Sequence, residues 1–329
     1  MPGATSRLTM VEAINLAHQW EMAHDPDVVV LGEDIGVNGG VFRATVGLQQ
    51  RFGKERVQDT PLAEGLIAGA AIGLAAQGLK PVAEIQFMGF IYPALDQIAS
   101  HMARLRNRTR GRITCPLVLR MPHGGGIHAP EHHSESLEAL LCHHPGLRVV
   151  CPSSPARAYG LLLAAIRDPD PVMFLEPVRL YRLAKEDIVD DGTALPLDKC
   201  FRLRDGADVT LVTWGAMTVE TLKAAETLAA ENISCEVIDV ATLTPIDFET
   251  ILDSVAKTGR LVIVHEAPRN CGVGAEIAAT VTEHALYDLQ TPIRRVTGYD
   301  TIMPLYRLEH DFIPAAERVV NTVRAAMAE

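Results

Sequence analysis

Residues 60–87 read TPLAEGLIAGAAIGLAAQGLKPVAEIQF, and this stretch decides the fold. Its first part is apolar, rich in Ala and Gly, with Glu64 as the only charge between Leu62 and Leu79. Such a run suits a buried helix over 62–79, entered through Thr60 as N-cap and Pro61 as the first helical residue. Its last part, KPVAEIQF (80–87), has the short apolar pattern of a buried strand. Upstream, DVVVLGED (27–34) is another such strand and ends in Glu33 and Asp34. Strands alternating with helices, buried on both faces, imply an α/β fold built on a parallel sheet.

The pattern continues in both directions. An amphipathic helix with Thr9 as cap covers 9–24, and a further helix covers about 93–107. Strands are expected at PLVLRMP (116–122), 147–151 and 171–175, with a helix at 155–167. Residues 178–206 have weak periodicity and read as a linker. The alternation then restarts, with strands at 208–215, 234–240, 260–267 and 293–298 and helices between them. The expected organisation is two α/β domains, 1–180 and 206–329, joined by a linker over 181–205.

Composition narrows the function. The chain has 329 residues, 48% hydrophobic and 22% charged, enough for a large core. Its net charge of -11 argues against a general binder of nucleic acid or anionic membrane. The arginine-rich ARLRNRTRGR (103–112) reads as a helix end, because no aromatics interleave with its cations. The segment 62–79 carries Glu64, Gln77 and four glycines without aromatic anchors, so it reads as a core helix and not a membrane span. Gly65, Gly69 and Gly73 share one helical face and invite close approach of another backbone, from this chain or another subunit. Cys115, Cys142, Cys151, Cys200, Cys235 and Cys271 form no CxxC pair, and the N-terminus lacks a signal-like apolar run. A cytoplasmic protein with reduced thiols is expected.

Two features suggest chemistry. Glu64 is either a helix-start acid or a functional carboxyl with a raised pKa. A capping box would want the acid one place earlier, at Ala63. The loop HGGGIHAPEHHSES (123–136) holds His123, His128, His132 and His133 after a strand's C-terminal end, where open α/β sheets place ligands. It has no HExxH or Cys/His metal spacing. It reads as a polar surface loop or as one catalytic histidine among bystanders. Gly124-Gly125-Gly126 could cradle phosphate, but lacks a P-loop lysine and any GxGxxG spacing.

Seven stretches occur in order: LGEDIGVNGGVFRAT, DTPLAEGLIAG, PVAEIQFMGFIYPALDQI, HHSES, PGLRVVCPSSP, LLLAAIRDPDPVMFLEPVRLYR and HEAPRNCGVGAEIAA. Together they resemble the β subunit of the thiamine-diphosphate-dependent decarboxylating component of 2-oxo acid dehydrogenase complexes, over about residues 7–325. The resemblance implies a transketolase-like pyrimidine-binding domain followed by a transketolase C-terminal-like domain. It implies oxidative decarboxylation of pyruvate or a branched-chain 2-oxo acid, with acyl transfer to lipoyl groups. Relatives acting on acetoin belong to the same group.

The family's glutamate falls on Glu64, which would hydrogen-bond a ring nitrogen of the aminopyrimidine and favour its imino tautomer. The oily helix start would keep that carboxyl protonated by desolvation. The resemblance also places Glu33, Leu62, Ala63, Gln86, Phe90, Ile91, Tyr92 and Pro93 at cofactor-contacting positions. Phe87, Met88 and Gly89 would border the substrate. The active-site histidine falls on His133, which would assist acyl transfer. His132 stands where many relatives have Tyr, and Glu135 where they have Gln, so the two adjacent histidines compete for the role. A structural potassium ion is implied near Leu117, Ala165, Ile166, Asp168 and Asp170.

The chain lacks the GDG…Asn motif that holds the magnesium of the diphosphate. RDG (204–206) with Asn232 has the spacing, but precedes a strand where the motif should follow one. The diphosphate half-site is therefore expected from an α subunit in a two-plus-two heterotetramer, with a lipoyl-bearing acyltransferase core as the further partner. A self-contained transketolase acting on sugars and a non-catalytic scaffold are the competing readings. The absent motif opposes the first, and Glu64 and His133 at family positions oppose the second.

Overall fold

A computed structural model describes residues 5–329. The strands are β1 Thr5–Leu8, β2 Val28–Gly32, β3 Val57–Asp59, β4 Lys80–Glu84, β5 Val118–His123, β6 Arg148–Val150, β7 Val172–Pro177, β8 Glu186–Val189, β9 Phe201–Arg204, β10 Val209–Thr213, β11 Cys235–Asp239, β12 Thr242–Thr244, β13 Leu261–Pro268 and β14 Arg294–Gly298. They form a seven-stranded sheet in the order β12-β6-β7-β5-β4-β2-β3 and a five-stranded sheet in the order β14-β13-β10-β11-β9. Both sheets are parallel apart from one antiparallel edge strand each, β12 and β9. The central strands are buried along their whole length, as continuous apolar runs such as VVVLG require when helices cover both faces.

The two sheets share chain. After β11 the backbone crosses to lend β12 to the edge of the first sheet, and Cys151 N–H donates to the Ala241 carbonyl at the same seam. The stretch read as a linker carries two short strands. β8 pairs with β1 in a small antiparallel ribbon, and β9 caps the second sheet. Both are short edge pieces whose pairing no periodicity announces. The C-terminal helix Ala316–Met327, which packs its valines into the core, also went unread.

Among the local expectations the Thr9 cap holds and two others change in detail. Helix Met10–His24 begins at Thr9, and the Glu12 carboxylate accepts from both the Thr9 N–H (2.8 Å) and hydroxyl (2.7 Å). The glycine-rich helix instead runs Glu64–Ala76 with Ala63 as N-cap. Thr60 lies three residues before that N-cap, with its hydroxyl donating to the Pro61 carbonyl (3.1 Å) and its N–H to the Gly32 carbonyl (2.9 Å), which continues the β2–β3 pairing. The expected helix over 93–107 is a chain of short 3₁₀ turns from Met88 to Ala94, a π-turn at Gln97–His101, and further short turns ending at Arg108. The glycine face meets this irregular segment. A Cβ on Gly65 would lie 3.1 Å from the Pro93 carbonyl and one on Gly69 3.3 Å from the Gln97 side chain, while Gly73 faces open space. Close approach is thus within this chain for two of the three glycines.

Candidate active site

The C-terminal ends of β2 and β4 set the site. Glu33 follows β2 directly, and Glu64 opens the helix that begins five residues after β3. Both carboxyls are half-buried and close enough to interact. Burial raises the Glu33 pKa first, and the negative charges of Asp34 and Glu64 add to it. The expectation that the oily helix start desolvates Glu64 is not met within this chain. Leu62 is 71% exposed and Leu66 51%, so they point away from the core and leave the carboxyl side open. Ala63 is half-buried, and Pro93 and Tyr92 lie on the same rim.

β4 delivers the next group. Gln86 is half-buried, and Phe87, Met88, Gly89 and Ile91 are buried, with Phe90 half-buried between them. Gly89 has a clear reason to be glycine, because a Cβ there would lie 1.8 Å from the His132 carbonyl. The histidine loop therefore rests on this turn, and Leu137 N–H also points at the Met88 sulfur (3.3 Å).

That contact separates the two histidines. His133 turns inward, with its ring 4.5 Å from Phe87 and 5.0 Å from Phe90, both edge-on. Its Nδ1 is 2.9 Å from the Glu131 carbonyl, which can only accept, so Nδ1 carries hydrogen and Nε2 is left for chemistry. His132 sits at φ 67° and is exposed, with its ring edge-on to Tyr92 at 6.4 Å. Geometry favours His133.

Beneath the site lies an ionic cluster that sequence reading passed over. Arg120 of β5 is wholly buried. It makes a bidentate pair with Glu176 of β7 (Nε–Oε1 2.8 Å, Nη2–Oε2 2.7 Å) and bonds Glu84 at the end of β4. The Tyr181 hydroxyl also donates to Glu176. Burial drives the Glu84 carboxyl up and the Arg120 charge lowers it. From this cluster an aromatic file, Tyr181–Phe42–Phe87, leads to His133 with ring separations of 5.1 and 5.3 Å.

The triple glycine is not a free phosphate cradle. Gly125 N–H donates to Glu266 (2.5 Å), and Gly126 N–H to Glu309 (2.6 Å), both acids coming from the second half of the chain. RDG (204–206) lies at the opposite end of the parallel strands. It follows antiparallel β9, so its Asp205 emerges beside the start of β10, where it is exposed and paired with Arg202 (3.6 Å). Leu117 lies beside residues 165–170, with its carbonyl accepting from Val172 N–H (2.9 Å) and Ala165's from Asp168 N–H (3.3 Å). The Asp168 carboxylate is paired with Arg148, and Asp170 with Arg106 through one oxygen. Among the described residues no group of three or more His, Cys, Asp or Glu is arranged to hold a metal.

A cavity of about 720 Å³ lies elsewhere, between Ala139–Pro145, Leu243–Phe248 and Cys271–Glu276. The site residues instead line an open face. Glu33 and Glu64 stand half-buried on it beside exposed Leu62, Leu66 and Tyr92.

Residues 6–184 match the pyrimidine-binding domain of transketolase, and residues 198–319 match the transketolase C-terminal domain. The chain is 50% identical over 317 residues to the pyruvate dehydrogenase E1 component subunit beta of Acholeplasma laidlawii, covering 96% of this chain and 97% of that one. It is 46% identical over 322 residues to the Bacillus subtilis protein of the same name, covering 98% and 99%. The chain belongs to the family of E1 β subunits of 2-oxo acid dehydrogenases. A solved split-gene transketolase, described as an inactive β4 tetramer, superposes with a TM-score of 0.80 at 25% identity over 98% of this chain and 99% of that one. This β subunit is thus a component of a thiamine-diphosphate-dependent complex, and no helix among its described residues is long and apolar enough to cross a membrane.

Proposed function

We propose that this β subunit supplies the pyrimidine-binding half of a thiamine-diphosphate site, that an α subunit closes it in a two-plus-two heterotetramer, and that pyruvate is the substrate. One observation carries the reading: Glu33, Glu64, Phe87, Phe90 and His133 converge on an open face rimmed by exposed Leu62, Leu66 and Tyr92. The donor set fits the aminopyrimidine end of the cofactor, with two carboxyls for ring nitrogens and aromatic edges beside them. It does not fit the diphosphate end, because the glycine N–H groups are already taken by Glu266 and Glu309. That half, with its magnesium, belongs to the α subunit.

When bound, the cofactor supplies the carbon nucleophile and electron sink that decarboxylation needs. The chain's own residues do the rest. Glu64 holds a proton at the pyrimidine ring, and the α subunit completes its desolvation by covering Leu62 and Leu66. Leu62, Ala63, Gln86 and Phe90–Pro93 line the cofactor, with Ile91 backing them from the core. Phe87, Met88 and Gly89 form a tight wall suited to a small 2-oxo acid, in keeping with the relatives named for pyruvate. His133, with its Nδ1–H held on the Glu131 carbonyl, leaves Nε2 free to take up a proton and pass it to the sulfur released when the lipoyl S–S bond opens, as proton acceptor and then donor. A potassium ion held by carbonyls near Leu117 and 165–170 would brace β5 and β7 from behind.

The test is decarboxylation by this chain co-purified with its native α partner, with and without thiamine diphosphate, on pyruvate and 2-oxoisovalerate side by side. Cofactor-dependent turnover favouring pyruvate is expected. Turnover by the isolated β subunit would refute the half-site, and preference for 2-oxoisovalerate would refute the substrate assignment.

A further inference from the structure

The second half of the chain grips the loop that carries His133. The loop's two ends meet where Gly124 N–H donates to the Glu135 carbonyl (3.0 Å). Its first arm is held by two carboxylates from outside. Glu266, at the end of β13, accepts from Gly125 N–H. Glu309, 2% exposed, accepts from Gly126 N–H at 2.6 Å and His128 N–H at 3.1 Å, with His128 Nδ1 also 3.1 Å away. The glycines at 124 and 126 adopt φ of 80° and 95°, which turns successive N–H groups toward the acids. A Cβ at Gly124 would come within 3.0 Å of Glu266, and one at Gly125 within 3.1 Å of Glu309. The triple glycine is thus an anion nest filled by the protein's own carboxylates.

The second arm leaves little freedom. The His132 carbonyl presses on Gly89, and His133 packs on Phe87 and Phe90. With one arm pinned by Glu266 and Glu309 and the other seated on the β4 turn, the position of His133 Nε2 depends on both. Burying two carboxylates near one another is costly unless each is paired. Here the repayment is charge-assisted bonds to loop N–H groups, and those bonds fall on the one loop that carries the site histidine.

We propose that Glu266 and Glu309 are positioning residues for His133: the C-terminal domain acts on acyl transfer by clamping the Gly124–His128 arm of the histidine loop. This rests on the assignment of acyl transfer to His133. It predicts that loosening the clamp slows transfer to lipoyl groups and spares decarboxylation.

The experiment uses the assembled complex with its α partner. Decarboxylation is measured with ferricyanide as electron acceptor, and acyl transfer with a lipoylated domain of the acyltransferase. Glu309→Gln keeps the shape, but its amide offers one acceptor where two N–H groups converge. Acyl transfer should fall about tenfold or more, and ferricyanide-coupled decarboxylation should stay within about twofold, on the scale of lost positioning. In a His133→Ala background Glu309→Gln should add little further loss, because the clamp then has nothing to position. Equal loss in both assays, or full additivity with His133→Ala, overturns the proposal. If His133→Ala itself lowers both activities equally, the histidine assignment fails and the clamp proposal falls with it. Glu266→Gln runs through the same assays should Glu309→Gln not assemble. Hydrogen exchange on the wild-type complex needs no variant: peptides covering 125–128 should exchange far more slowly than a free loop, and exchange at a free-loop rate overturns the clamp.

Discussion

Replacing Arg120 by Met tests what supports the site from below. Arg120 is wholly buried and touches two carboxylates, Glu84 and Glu176, on strands either side of its own. Met fills much of the same volume but leaves two acids facing each other in the core. Breaking a buried ion pair by removing one partner costs about 3–5 kcal/mol, far more than an exposed pair. For a chain of this size about 2 °C of melting temperature goes with each kcal/mol, so a drop of roughly 6–10 °C is expected in calorimetry of the assembled complex. The two acids should not respond alike. Burial already raises the Glu84 carboxyl, so Glu84→Gln relieves an excess negative charge and should cost less than Glu176→Gln, which breaks the bidentate fork and the Tyr181 bond. Because Glu84 leads straight into Gln86 and Phe87, Arg120→Met should also lower decarboxylation in whatever complex survives. A melting temperature within about 2 °C of wild type, the scale of an exposed pair, would refute the view that this cluster holds the three strands in register.

Other outcomes are open to measurement. Glu64→Gln should assemble normally and lose most turnover, by about 10²-fold or more, since an amide cannot hold the shared proton; full activity in that variant removes the proposed mechanism. His133→Ala should depress lipoyl acylation more than ferricyanide-coupled decarboxylation, and the same depression from His132→Ala would reverse the choice between them. His18, His123 and His265 are buried, and burial lowers their pKa to about 3, about 4 and about 4. Their folded values lie below the unfolded 6.5, so their stabilisation is present above pH 6.5 and is lost as pH falls toward 4. Burial raises Glu266 to about 7 and Asp239 to about 6, so their contribution runs the other way and fades as pH rises through those values. Between pH 7.5 and pH 4.5 the three histidines therefore oppose the folded state and the two acids favour it, and with three groups against two a net loss of stability is expected. A flat denaturation midpoint from pH 7.5 to 4.5 would contradict that balance.

The repetition of apolar strands and amphipathic helices made both sheets legible, because a fully buried parallel strand writes itself as a run like VVVLG or LVIV. The short pieces β3, β8, β9 and β12 were not legible, since three or four residues at a sheet edge owe their pairing to tertiary context. The helix expected at 93–107 is present over 92–108, but as an irregular one that mixes 3₁₀, α and π turns where Gly65 and Gly69 approach it closely, and that irregularity was not legible. At the site, His133 was legible only through family resemblance, and its inward turn became evident from Gly89 and the two phenylalanines. Glu84, Arg120 and Glu176 did leave a signal. Arg120 and Glu176 are each the lone charge in an otherwise apolar strand, Glu84 closes a strand whose other charge, Lys80, opens it, and Glu84 and Arg120 are direct register partners with Glu176 two residues further along. Glu266 left the same mark at the end of LVIVHEA.

The opening puzzle of a single carboxyl in an oily helix has a different answer from the one its sequence suggests. If the helix itself kept Glu64 dry, Leu62 and Leu66 would pack inward over it. They face outward instead, and the residues that do pack inward, Ile67, Ala68, Ala71 and Ala75, lie on the other side of the helix. The apolar character of the segment therefore does two jobs on two faces. One face builds the core against the 93–98 turns, and the other leaves leucines beside a half-buried acid on an open surface. Leucines in that position lower the local dielectric only when another surface lies on them. In the proposed assembly a partner surface over Leu62 and Leu66 would also cover the half-buried Glu64, so the carboxyl would reach its working surroundings only when both halves of the site are together.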